Sequence, residues 1–215
     1  MAGTVKPKLH YFPLYGRAEV LRIAMKYFEM DYEEEVVTTA KWPALKHSGV
    51  YEFQQLPMLE IEGKRLIQTS AILRYLCQTH FAYSTSPDQI AQIEAIVELR
   101  AEILDYTLPL LLQGKLAETK TWYETQMPTL YFPMIERLLE SNVVGQGKHF
   151  VGSSVTMADF AMFGFGFDAF QRPETADLGA KFAPIAPRFF AFLGTFREEK
   201  EGLRRYMSEP KNKPL

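Results

Sequence analysis

Two side chains near the start of the chain could activate an anionic nucleophile. Tyr11 lies near the end of the apolar run Lys8–Phe12, and Arg17 follows six residues later, directly after Gly16. A strand that ends in a phenolic hydroxyl and a helix that opens on a guanidinium would place a hydrogen-bond donor beside a positive charge. Both groups favour the charged form of a neighbouring acid. A cation in the first turn opposes the helix dipole, which indicates a role for Arg17 beyond solvation.

A second block strengthens this interpretation. Phe53–Gly63 reads FQQLPMLEIEG and leads into Leu66–Leu76, LIQTSAILRYL. At this separation the two blocks resemble the glutathione-binding half of the cytosolic glutathione S-transferases. The resemblance covers nearly the whole chain, because Gly152–Phe160 is similar to the family's helix-start box in the second domain. Gln54–Met58 resembles the alpha class, whereas Trp42-Pro43 with Lys46 resembles the sigma class, so the class stays open between them.

The resemblance implies that glutathione is the co-substrate and that Tyr11 and Arg17 are catalytic. A free thiol has a pKa near ~8.5, so a site that makes the thiolate dominant at neutral pH must lower that pKa by roughly two units, or about 3 kcal/mol. A hydroxyl that donates to the sulfur and a nearby guanidinium both favour the thiolate. No metal is expected to take part.

The resemblance also implies which residues hold the two carboxylates of glutathione. Gln68 and Thr69 precede a helix whose first N–H groups are unpaired and partly positive, which suits the glutamyl carboxylate. Trp42 and Lys46 lie one helical turn apart and match positions that reach the glycyl end, where Lys46 would offer a positive charge.

The middle of the peptide is expected at Leu56-Pro57, which matches the family position where the bond before proline is cis. That geometry would turn the Leu56 backbone towards the cysteinyl part of glutathione, which it would bind as an added strand does. Gln55, directly before this pair, completes the expected set of glutathione contacts.

Related classes borrow an acid across the dimer to bind the glutamyl ammonium. Counting without gaps from Gln68 gives Glu102, and Asp105, one turn further on the same face, is the alternative. Leu130 takes a position where alpha-class members carry an arginine of this network. The resemblance therefore implies a homodimer whose cross-subunit contact is weaker or arranged differently.

An apolar pocket for an electrophile is expected between the two domains. Its predicted lining is Phe12, Leu14, Thr107, Leu108 and Leu111, with a contribution from the C-terminal tail that includes Glu209–Leu215. An apolar lining predicts small hydrophobic electrophiles as the second substrate.

The elements that must position these residues divide the chain in two. Residues 1–83 alternate strands and helices: strands at Lys8–Phe12, Tyr32–Val37, Met58–Ile61 and Lys64–Ile67, helices at Arg17–Met30 and from Thr69 or Ser70 to about Gln78. This β-α-β then β-β-α order predicts a thioredoxin-like α/β domain with a mixed four-stranded sheet.

Residues 84–215 predict an all-α domain. Helices are expected at Asp88–Gln113, at Lys120–Ser141 with a bend at Pro128 and Pro133, from Thr156 with a capping box to Asp159, and at Pro187–Lys200.

Composition narrows the function classes. A chain of 215 residues, 47% hydrophobic and with a net charge of −2, predicts a well-cored protein whose main partner is neither nucleic acid nor a membrane. Cys77 is the only cysteine, so no internal disulfide can form and a reducing compartment is expected. With no leader recognised at the start, the expected location is the cytoplasm.

Conjugation of glutathione to apolar electrophiles is the leading hypothesis, with hydroperoxide reduction as a further activity. A glutathione-dependent isomerase, of the prostaglandin D synthase kind or acting on a ketosteroid, would use the same thiolate and a different pocket. A non-catalytic ligand carrier or structural protein of the same fold is a third hypothesis, which the presence of Tyr11, Arg17, Gln68 and Thr69 disfavours. No Cys-x-x-Cys follows the first strand, which argues against a disulfide oxidoreductase.

Overall fold

The N-terminal part of the chain forms a mixed sheet. In the computed structural model, which describes residues 5–209, the four strands are β1 Lys8–Tyr11, β2 Glu33–Val36, β3 Met58–Ile61 and β4 Lys64–Ile67. Their spatial order is β2-β1-β3-β4, with β1 parallel to β2 and the other two pairings antiparallel. Leu9 lies opposite Glu34 on one side and Leu59 on the other. The predicted thioredoxin-like arrangement is confirmed.

Three helices accompany this sheet: α1 Gly16–Tyr27, α2 Trp42–Lys46 and α3 Thr69–Thr79. Helix α1 ends before the predicted Met30 because Glu29 adopts a left-handed backbone with φ of 53°, which a helix cannot continue. Helix α2, of five residues, was not predicted. Only Trp42 and Leu45 pack against the core, and five residues are too few for an apolar period to emerge.

The remainder of the described chain is helical, as predicted. The helices are α4 Pro87–Leu112, α5 Leu116–Gln126, α6 Phe132–Ser141, α7 Met157–Gly166, α8 Ala176–Phe182, α9 Pro187–Glu198 and α10 Glu201–Ser208. A π-helical turn, Met127–Tyr131, separates α5 from α6 and contains Pro128, so the predicted bend is confirmed there. The Thr156–Asp159 capping box of α7 is also confirmed.

One continuous apolar core joins the sheet to the helices. Helix α7 lies at its centre and packs against both α1 and α4. Gly164 allows the close approach to α1, because a Cβ at this position would lie 3.2 Å from the Val20 Cβ. Phenylalanines of α7 and α9 fill the space beneath, among them Phe163 and Phe196, whose ring centroids are 5.0 Å apart. This packing fixes α1, and with it the end of β1, relative to α4.

The division into two domains at residues 83 and 84 stays a prediction; this point lies in the loop between α3 and α4. The expected tail contribution falls largely on residues 210–215, outside the described residues. Within residues 5–209, none of the helices combines the length and apolar character that a bilayer-spanning segment needs.

Candidate functional site

Tyr11 ends β1 with its side chain almost fully buried, at 5% exposure. Its hydroxyl oxygen accepts a hydrogen bond from the backbone N–H of Arg17 at 3.0 Å. Burial raises the pKa of Tyr11 above its ordinary value of 10.0, an effect that the N–H and the charge of Arg17 oppose. The hydroxyl is therefore protonated at neutral pH. Since it donates to no other described residue, its proton is available to an anion.

Gly16 makes this contact possible. It adopts φ of +46°, which turns the chain sharply from the end of β1 into α1. A Cβ at this position would lie 2.9 Å from Leu14 Cδ1 and 3.1 Å from the Tyr11 hydroxyl oxygen. The turn thus requires glycine for both its conformation and its lack of a side chain.

The guanidinium of Arg17 reaches across to the helical part of the chain. Its Nη2 lies 2.6 Å from Oδ1 of Asp105 on α4, and both side chains are partly exposed. The ion pair directs the Arg17 side chain towards α4. It also binds Asp105 within its own chain, so Asp105 is engaged rather than available to a partner.

A cleft of about 650 Å³ opens beside Arg17. It lies between the sheet end, the N-terminus of α3 and the exposed face of α4. Its lining residues are Phe12, Arg17, Trp42, Gln54, Gln55, Leu56, Pro57, Gln68, Thr69, Ser70, Glu98, Arg100, Ala101 and Asp105. The structure therefore brings together most of the residues predicted to hold glutathione. Tyr11 is not part of this lining; its hydroxyl adjoins the cleft at the backbone N–H of Arg17.

One end of the cleft suits a carboxylate. Helix α3 begins at Thr69, and the first N–H groups of an α-helix have no partner within it. Gln68, which precedes the helix, adopts a left-handed φ of 68°. Its Nε2 donates to Oε1 of Gln55 at 2.7 Å, which fixes both amides at the rim. An anion placed here would meet backbone donors and the positive end of the helix dipole.

The peptide bond between Leu56 and Pro57 is cis, as the resemblance implies. Both residues line the cleft directly before β3. The backbone of Leu56 therefore stands in the cleft wall between the α3 end and Trp42.

Trp42 forms the opposite end of the cleft. Its ring packs edge-on against Phe12, with centroids 5.6 Å apart, and against Tyr51 at 5.4 Å. Lys46 lies on the same short helix, at its C-terminal end, and does not contribute to the cleft lining.

The predicted acids are placed differently from each other. Glu102 accepts a hydrogen bond from the Tyr131 hydroxyl at 2.9 Å and does not line the cleft of its own chain. Glu98, one turn earlier on α4, does line it. Glu98, Glu102 and Asp105 follow i, i+4, i+7 spacing on α4. Glu102 is predicted to serve the partner's cleft, so its place outside its own chain's cleft leaves that assignment a prediction.

The predicted apolar pocket forms only in part. Phe12 lines the cleft, and Leu14 and Leu108 flank the Gly16 turn. Leu111 is half-buried near the end of α4. The expectation for Thr107 requires correction: it is fully buried, its hydroxyl donates to the Ile103 carbonyl at 2.9 Å, and it faces the helical interior.

Four further residues that the sequence does not predict also line the cleft: Gln54, Ser70, Arg100 and Ala101. Ser70 follows Thr69 in the first turn of α3 and could have been found from that position. Arg100 could not be found in this way, because an arginine within a long apolar helix does not by itself show that it borders a cleft.

Comparisons with known proteins agree with this geometry. Residues 7–78 match the family model for the glutathione S-transferase N-terminal domain, and residues 106–210 match the model for the C-terminal domain. The chain is 34% identical over 169 residues to human glutathione S-transferase A3, an alignment that covers 75% of this chain and 72% of that protein.

A relative from Caenorhabditis elegans, probable glutathione S-transferase 6, is 36% identical over 160 residues, covering 71% of this chain and 74% of that one. The solved structure of NaGST-2 is similar at a TM-score of 0.74 with 25% identity, covering 96% of this chain and 98% of that chain.

Proposed function

From the premise that the chain belongs to the glutathione S-transferase family, we propose that the cleft binds glutathione and that Tyr11 ionises its thiol. The protein is an enzyme, a glutathione transferase that joins the sulfur of glutathione to an electrophile. Its relatives are named as transferases, which favours conjugation over the isomerase and carrier hypotheses.

The buried Tyr11 hydroxyl carries this proposal. Its oxygen already accepts the Arg17 N–H at 3.0 Å, so its own proton is directed to a different acceptor. A thiolate at that position receives a charge-assisted hydrogen bond, which favours S⁻ over S–H. The Arg17 guanidinium adds a positive charge nearby, reduced in strength by its pairing with Asp105. The thiol proton leaves to solvent, and the sulfur lone pair then forms a bond to the electrophilic carbon; with 1-chloro-2,4-dinitrobenzene the C–Cl bond breaks and chloride leaves.

The rest of the tripeptide is bound along the cleft wall. We infer that the glutamyl carboxylate accepts from the N–H groups at Thr69 and Ser70, beside the Gln55–Gln68 amide pair. The Leu56 backbone pairs with the cysteinyl part. The glycyl end lies against Trp42, and Lys46, at the other end of the same short helix, is the proposed source of positive charge for its carboxylate.

The electrophile approaches from the apolar side of the sulfur. Leu14 and Leu108 flank the Gly16 turn, Phe12 lines the adjoining cleft, and Leu111 is half-buried further along α4. Apolar walls favour hydrophobic electrophiles, because their transfer from water is favourable by about 25 cal/mol per Å² of buried apolar surface.

We further propose a homodimer located in the cytoplasm. Membership of the family supports the dimer, and Phe53, 57% exposed, and Leu130, 46% exposed on the π-helical turn, are apolar side chains that an interface could cover. Glu98, which has no ion pair among the described residues, becomes our candidate for the glutamyl ammonium in place of Glu102. The single cysteine, buried Cys77, is consistent with a reducing compartment.

Conjugation of glutathione to 1-chloro-2,4-dinitrobenzene tests the proposed function. Wild type should be active, and Tyr11→Phe should lose about 10- to 1000-fold in kcat, as loss of one charge-stabilising donor can. Tyr106→Phe is the matched control, since Tyr106 is exposed and lies outside the cleft lining. Equal kcat in the two variants would exclude Tyr11 from the chemistry, and an inactive wild type would contradict the function.

A further inference from the structure

Arg100 is a buried cation at the floor of the cleft. It lies on α4, is only 6% exposed, and borders the same cleft as Arg17. Burying a guanidinium is costly unless charge and hydrogen bonds compensate for the lost water. What surrounds Arg100 therefore decides what the charge can do.

The partner of Arg100 is shared with a second arginine. Arg100 Nη2 lies 3.6 Å from Oδ2 of Asp168, a separation that gives an ion pair without a hydrogen bond. The other carboxylate oxygen, Oδ1, accepts a short hydrogen bond from Arg172. Arg172 in turn lies over the Tyr15 ring, its Cζ 4.6 Å from the centroid. Two guanidiniums thus share one carboxylate, and the buried cluster Arg100–Asp168–Arg172 carries one net positive charge.

Arg100 retains unused hydrogen-bonding capacity. Among the described residues, its Nε and Nη2 have no hydrogen-bond partner, and neither does Asp168 Oδ2. Both nitrogens are closed off from water, and Nη2 is the atom nearest Asp168, so Arg100 can act on an anion in the cleft through its charge and not through hydrogen bonds from these atoms.

The cluster also interacts electrostatically with the catalytic pair. Burial lowers the pKa of Arg100, and the Arg17 charge lowers it further, whereas Asp168, Tyr11 and Glu19 raise it. The Asp168 carboxylate is likewise one of the groups that raise the pKa of Tyr11. Arg100, Tyr11 and Arg17 therefore lie within the range of one another's charges.

We propose that Arg100 is a positioning residue whose buried charge, only partly compensated because Asp168 is shared with Arg172, helps to stabilise the glutathione thiolate in the cleft that Arg100 and Arg17 line. The inference rests on the proposed function, since it concerns the same bound thiol. It assigns part of the thiol's acidity to the Arg100–Asp168–Arg172 cluster rather than to the Tyr11 hydroxyl and Arg17 alone.

The sign of the effect distinguishes this role from a structural one. Arg100→Met removes a positive charge and should raise the pKa of bound thiol by about half a unit to one unit. Arg100→Lys keeps the charge and should stay near wild type. Asp168→Asn removes the opposing carboxylate and should lower the thiol pKa, in the direction opposite to Arg100→Met.

Ultraviolet titration of the thiolate in the enzyme–glutathione complex measures these shifts. Binding of S-methylglutathione, which has no ionisable thiol, is the control for structure and should be unchanged in each variant. An Arg100→Met enzyme that binds S-methylglutathione normally and titrates as wild type does would overturn the proposal. If Arg100→Met fails to fold, a thiol pKa that rises or stays constant in Asp168→Asn overturns it instead. A wild type that binds glutathione without lowering its thiol pKa would contradict the proposed function, not the assignment of Arg100 alone.

Discussion

The hydroxyl of Tyr11 depends on one backbone contact and one glycine. The Arg17 N–H holds its oxygen at 3.0 Å, and the left-handed Gly16 brings that N–H into place. Because the hydroxyl oxygen would lie only 3.1 Å from a Cβ at Gly16, the side chain at this position controls the geometry of the catalytic group.

Gly16→Ala should therefore damage catalysis more than stability. The new methyl would meet Leu14 Cδ1 at 2.9 Å, and φ of +46° costs an L-residue roughly 1–2 kcal/mol. We expect kcat/KM for conjugation to fall at least about tenfold through displacement of the Tyr11 hydroxyl. Gly194→Ala is the control, since a Cβ there meets nothing within 4 Å. Equal kcat/KM in the two variants would show that the Gly16 turn does not position Tyr11.

The residues that could be predicted from the sequence are those whose side-chain type and position in an element both indicate a chemical role. Tyr11, Arg17, Gln68 and Thr69 occupy strand ends or helix starts, where local pattern and resemblance agree. Which side chains of α4 face the interior was harder to predict. Thr107 shares a helix with Leu108, yet it faces the interior, because a long helix packed on two sides gives no unambiguous apolar face.

Helices α3 and α4 must keep a fixed separation, since the cleft lies between them. Arg74 on α3 and Glu94 on α4 form a bidentate ion pair, in which Nε donates to Oε1 at 2.7 Å. The Tyr83 hydroxyl, in the connecting loop, also donates to this carboxylate. Hydrogen bonding to Arg74 lowers the pKa of Glu94 below its ordinary value of 4.5.

The sign of this shift predicts a pH dependence. A depressed folded-state pKa contributes stability that is present above the unfolded value and is lost as pH falls through the folded pKa. Glu94→Gln should therefore reduce the free energy of unfolding by about 1 kcal/mol at pH 7, with the difference from wild type shrinking below pH 4.5. Urea denaturation of wild type and Glu94→Gln, at pH 7 and again below pH 4.5, measures this difference in the free energy of unfolding. A difference that grows in acid would contradict the assigned contact.

The sequence missed three helices, α2, α8 and α10, none of which is longer than eight residues. Helices α2 and α8 are short, at five and seven residues, and offer too few turns for a period to emerge. The π-helical form of the turn Met127–Tyr131 was also missed. Pro128 predicts a bend in the helix, but it does not predict that the bend is a π-helical turn.

The whole molecule is expected to work as a pair. Glu98 lines the cleft at the exposed face of α4, and Phe53 and Leu130 expose apolar surface that a single chain leaves in water. An isologous dimer would cover such surface on both chains at once.

Light scattering at micromolar concentration should return twice the monomer mass. Glu98→Gln should weaken glutathione affinity measured by calorimetry, because the glutamyl ammonium of the ligand loses the Glu98 carboxylate that pairs with it. Glu102→Gln is the matched control, since Glu102 bonds Tyr131 and lies outside the cleft lining. A fully active monomer would remove the dimer proposal, and a larger affinity loss in Glu102→Gln would restore the acid first predicted from sequence.

The central claim is that the buried Tyr11 hydroxyl makes bound glutathione a thiolate. Ultraviolet titration of the glutathione complex tests it most directly, with Tyr11→Phe beside wild type. We predict that wild type ionises the bound thiol roughly two pH units below the free value of ~8.5. Tyr11→Phe should bind glutathione with similar affinity and titrate nearer to the free thiol. Titration curves that coincide for the two proteins would contradict the account.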